Sequence, residues 1–67
     1  MPDVETLKAE IKKLSAQAMQ AKMDLHDLSE ELPVGVENVM ATAERVRDTY
    51  AALAARRAAL KAVEAAA

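Results

Sequence analysis

The chain has 67 residues, no cysteine, a single aromatic and a formal net charge of -2. A core of that size rarely supplies more than roughly 3 to 5 kcal/mol, and without cysteine neither a disulfide nor a thiolate zinc site can add to it. The mildly acidic balance, with a pI of 5.3, excludes a general attraction to nucleic acid or anionic membranes; association with another protein chain is the remaining route to stability.

From the N-terminus, Val4, Leu7, Ile11, Leu14, Ala18, Ala21, Leu25, Leu28 and Leu32 recur at alternating spacings of three and four. That is the a/d pattern of a coiled-coil helix, and it predicts a first helix over about Asp3 to Glu31. Asp3 and Glu5 place negative charge where the helix dipole favours it, and Pro2 is tolerated there because its missing N–H has no helical partner. The acidic start, Met1-Pro2-Asp3-Val4-Glu5, does not resemble a signal peptide. No apolar run approaches the ~18 residues needed to span a bilayer, so no membrane association is expected and the protein is expected to be cytoplasmic.

Leu32-Pro33-Val34-Gly35 reads as a turn, since proline disfavours helical backbone in the residue before it and glycine accepts positive φ. So short a connection makes the flanking helices antiparallel neighbours. A second helix is predicted over about 36–65, with Val39, Ala43, Val46, Tyr50, Leu53 and Leu60 as its seam. Arg57 takes the remaining slot, either as a flaw in the seam or with its stem lying across it and its head in water.

The expected fold is all-α, one antiparallel two-helix hairpin over residues 1–67, coiled-coil-like, with helices roughly 40 to 45 Å long at ~1.5 Å per residue. Two helices cannot enclose their apolar surface, and a second copy related by a twofold axis is the usual solution. A homodimer, or a higher oligomer, with a four-helix arrangement is therefore expected.

At ~100° per residue, Met19, Met23 and His26 fall about 130° to 170° from the seam of the first helix. This second stripe is confined to the half nearest the turn, because Lys12 and Glu5 occupy the equivalent earlier positions. Val36 and Met40 lie near the turn on the second helix and complete the patch. Met19, Met23, His26, Val36 and Met40 are the expected dimer interface, with methionine serving as adaptable packing.

A twofold contact there would turn the lone His26 into a pair, and two imidazoles can share a divalent ion. Glu30, four residues on, lies on the same face as a carboxylate ligand or as the group that orients the ring; Asp24 and Asp27 are close in sequence. Imidazole with carboxylate suits Zn, Ni, Cu or Fe. The plainer alternative is a His26 that bonds Glu30 or is half buried at the interface, and an imidazole there also permits a pH-dependent contact. Four carboxylates near the end of the first helix, Asp24, Asp27, Glu30 and Glu31, oppose its dipole and leave room for a cationic partner. Arg45, Arg47, Arg56 and Arg57 could meet these acids or face another protein. Ser15, Ser29 and the threonines set no nucleophile against His26 and no glycine-rich phosphate loop exists, so no enzyme is expected.

The segments Ala16-Gln17-Ala18, Lys22-Met23-Asp24-Leu25-His26-Asp27-Leu28 and Glu31-Leu32-Pro33 resemble the Rop-like family of small NifX-associated proteins encoded in nitrogen-fixation gene clusters. The resemblance covers nearly the whole chain and is strongest from Leu14 to Pro33. Beyond that, Tyr50 and Leu53 fit, whereas Arg47 stands where an aromatic is common. It implies a helical hairpin, dimerisation and an accessory role in nitrogen fixation, with a nitrogenase or cofactor-assembly protein as partner. It also implies divalent-metal binding between protomers at the histidine matching His26, and no catalytic activity. The alternative is an RNA-binding bundle of the kind that plasmid-copy-number Rop proteins form. Such binding needs a basic face, often with a stacking aromatic; Lys8, Lys12 and Lys22 supply some charge, but acids intervene.

Overall fold

The computed structural model describes residues 3–66; Met1, the first-turn Pro2 and Ala67 lie outside them. Two α-helices of 28 residues, α1 (Val4–Glu31) and α2 (Val39–Ala66), pack antiparallel into a rod of 51 × 15 × 14 Å. No strand occurs among the described residues.

α1 begins with Asp3 in extended backbone, whose side chain makes no capping bond; its carbonyl accepts the first helical N–H, from Leu7, at 2.9 Å. Every seam residue from Val4 to Leu28 is buried or half-buried, with Leu7, Ala18 and Ala21 the most completely covered. Only a methyl group projects at Ala18 and Ala21, so their burial requires α2 to lie close against the middle of α1.

Leu32 was expected to continue this seam and is instead 43% exposed. The helix ends one residue earlier, and Leu32 takes extended backbone (ψ 142°) as required before proline, which turns its side chain away from α2. The Leu32–Pro33 peptide is cis. Through the turn, the N–H groups of Val34, Val36 and Asn38 donate to the carbonyls of Glu31, Pro33 and Gly35 at 3.0, 3.2 and 2.9 Å. These tight bonds produce a 3-10 turn over Val36–Asn38, so α2 starts at Val39 and not at Val36 as expected. Gly35 adopts φ 79°, and a Cβ there would lie 2.9 Å from Leu28 Cδ1.

The seam of α2 agrees with the expected one at Val39, Ala43, Val46, Leu53 and Leu60, all buried or half-buried, and departs from it elsewhere. Thr42, Thr49 and Val63 are half-buried as well, while Tyr50 is 39% exposed and Arg57 is exposed. The hydroxyl of Thr49 donates to the carbonyls of Arg45 and Val46 within its own helix, at 2.8 and 3.2 Å. Satisfied locally, it leaves its methyl group free to pack. Arg56, rather than Arg57, reaches across to α1.

Candidate functional site

The seam directs Val4 through Leu28 toward α2, and the 3.6-residue period then fixes where the remaining side chains of α1 stand. Glu10 and Asp24 are two heptads apart and share one flank of the rod. There Glu10 pairs with Arg56, and Asp24 accepts bonds from Arg45 and Gln20, the latter at 2.9 Å. A shallow open groove lined by Glu10, Lys13, Leu14, Gln17, Ala52 and Arg56 runs along the same flank. These cross-helix pairs hold the hairpin together electrostatically; the charges involved are substantially exposed, so each contributes less than about 1 kcal/mol.

Met19, Met23 and His26 lie away from that flank. His26 is 69% exposed, with Nδ1 3.4 Å from Asp27 Oδ1 and Nε2 3.6 Å from Glu30 Oε1. The ring stands between two carboxylates, and Ser29 Oγ donates to the His26 backbone carbonyl at 2.7 Å. No group of three or more His, Cys, Asp or Glu side chains converges on a common point among the described residues. One chain can thus offer an ion one imidazole nitrogen and one carboxylate from this cluster, and a tetrahedral site would need further donors from outside the chain.

The five residues expected at a dimer contact stand on the outside of the hairpin. Met19, Met23, Val36 and Met40 are 56% to 72% exposed, and His26 lies beside them on α1. Val34, 70% exposed at the tip of the turn, and Leu32 extend the apolar surface beyond the stripe read from helical spacing. The spacing argument misses Val34 because turn residues have no helical period, and it places Leu32 in the seam; the signal that could have found Val34 is an aliphatic side chain between Pro33 and Gly35, where a polar residue is usual. No helix among the described residues is long and apolar enough to cross a membrane.

The Rop-like family model matches residues 2–65. The chain is 51% identical over 65 residues to a UPF0437 protein of Azorhizobium caulinodans, covering 97% of this chain and 94% of that one. It is 42% identical over 64 residues to a UPF0437 protein of Sinorhizobium fredii, covering 96% of each. A relative from Frankia alni, 40% identical over 52 residues that span 78% of this chain and 63% of that one, is described as a UPF0437 protein in the nifX-nifW intergenic region. No solved structure matches the chain. A helical hairpin matched by that model over nearly its full length, with relatives sharing up to half of its residues, belongs to the Rop-like family.

Proposed function

We propose that this protein is a non-enzymatic accessory protein of nitrogen fixation, a homodimeric helical module that works by docking on other proteins. The observation that carries the reading is the exposed apolar surface of the turn half, Met19, Met23, Val34, Val36 and Met40, on a rod only two helices thick. Such a surface on a small acidic chain marks a protein contact. The nitrogen-fixation context rests on the Frankia relative, whose description places it between nifX and nifW. A rod 15 Å across has no interior to enclose a substrate, and its groove is open along its length.

Co-purification of tagged protein from nitrogen-fixing cells tests the reading. A nitrogenase or cofactor-assembly component should be recovered with the wild type and lost with Met23→Glu. Recovery of neither, or equal recovery with both, would overturn it. A metal held by His26 and Glu30 is left outside this proposal, since one chain brings only two donors together at His26. RNA binding is the alternative; retardation of a structured RNA in low-salt gel shifts would replace the present reading with that one.

A further inference from the structure

The turn end of the rod combines apolar exposure with charge of a single sign. Residues 25–44 hold five carboxylates, Asp27, Glu30, Glu31, Glu37 and Glu44, and no lysine or arginine. Asp27 and Glu30 flank the exposed His26 ring. Glu31, Glu37 and Glu44 are exposed and join no ion pair among the described residues. The last turn of α1 has no basic residue, so the negative end of its dipole adds to the same field.

Between these acids lies the connection, where Leu32, Val34 and Val36 are exposed, with Met40 following at the start of α2. Three backbone N–H···O bonds and the left-handed Gly35 hold this apolar ridge in shape, so little freedom is lost when a partner covers it. A second copy is a poor occupant. Its turn carries the same five carboxylates, and the charged side chains of its open end, over residues 3–7 and 62–66, are Asp3, Glu5 and Glu64. Like charges brought within about a Debye length, ~8 Å, repel, and the same repulsion turns away nucleic acid and anionic lipid.

We propose that the turn end is a docking site for a basic amphipathic helix of another protein. The inference rests on the protein-docking reading above and names the surface and the chemistry of the partner. The apolar ridge has acidic flanks on both sides, Glu30 and Glu31 from α1 and Glu37 and Glu44 from the start of the second helical segment. That is the counterpart of an apolar helical stripe bordered by lysine and arginine. The partner's aliphatic side chains cover Leu32, Val34 and Val36, the thioether of Met40 adapts to the shape it meets, and the partner's cations reach the carboxylates. The end of a rod 15 × 14 Å in section offers less than the ~800 Å² per partner of a standard interface, so the contact is transient and salt-dependent.

A synthetic helix of about five turns, ~18 residues, with leucine along one face and lysine on both borders, is the probe. Titrated into isotope-labelled protein in 50 mM NaCl, it should shift the amide resonances of residues 30–40 and bind at least about tenfold more tightly than a scrambled peptide of the same composition. Raising NaCl to 500 mM should weaken it at least about threefold. Val34→Ser, and separately Glu31→Gln with Glu37→Gln and Glu44→Gln, should each weaken it at least about fivefold, with helicity by circular dichroism and oligomeric state by sedimentation unchanged. Equal binding of the scrambled peptide, shifts confined to other residues, or an oligomer weakened by these variants would overturn the turn end as the site. Co-purification from nitrogen-fixing cells separates this from the docking reading. A partner lost with Met23→Glu but retained by the triple glutamine variant would overturn the turn end and leave docking standing, whereas a wild type that recovers no partner would remove both.

Discussion

Gly35 is the residue whose identity the fold most clearly demands. At φ 79° an L side chain is strained, by roughly 1 to 2 kcal/mol, and its Cβ would press on Leu28 Cδ1. Because the atom it meets is the free end of a leucine, the contact itself is relieved cheaply. Gly35→Ala should therefore lower stability by about 1 to 2 kcal/mol in urea titration, a large fraction of what a chain this small possesses. His26 is the contrasting case: legible in the sequence as the only imidazole, it lies exposed between Asp27 and Glu30, neither buried nor part of a three-donor cluster in the described chain. Sequence spacing predicted its nearness to Glu30. Whether the ring is covered depends on a second chain, which one sequence does not place.

Between the helices, the packing is set by small residues at the centre and larger ones toward the ends. Ala18 and Ala21 are each 1% exposed, and neither has space for a longer side chain against α2. Ala21→Leu should destabilise the hairpin by about 1 to 3 kcal/mol through overpacking, seen as a lowered thermal midpoint. The cross-helix pairs behave differently, because their charges remain solvated. Arg45→Ala and Arg56→Ala should each change stability by less than about 1 kcal/mol, with the difference from wild type shrinking in 1 M NaCl. The α1 seam was legible because leucine, isoleucine and valine contrast sharply with the charged residues around them. The α2 seam was legible only at Val39, Ala43, Val46, Leu53 and Leu60. Among so many alanines the positions three and four residues on look alike, and bulky Tyr50 outweighed Thr49, whose hydroxyl is satisfied within its own helix.

As a whole molecule the hairpin is a thin rod with its apolar surplus at the turn end. If a second copy covers that surplus, stability is linked to protein concentration, and the thermal midpoint should rise as concentration increases. Met23→Glu with Met40→Glu should abolish that dependence and weaken dimerisation more than tenfold by sedimentation, while the helical content of the hairpin persists at high protein concentration. Both side chains are more than half exposed, so neither substitution buries a charge within one hairpin.

The hairpin was determined locally: a three-and-four spacing sustained through α1, a Pro-Val-Gly turn and an alanine-rich partner leave few alternatives to two antiparallel helices. The resemblance around His26 pointed to the family from the sequence as well. Only the tertiary structure decided that Thr42 and Thr49 line the seam, that Arg56 and not Arg57 crosses to α1, that Leu32 leaves the core, and that α2 begins after a 3-10 turn. Those outcomes depend on the rotation of one helix against the other and on the tight bonds of the connection. Rotation is fixed by how closely Ala18 and Ala21 let the helices approach, a distance that no pattern of residue types specifies.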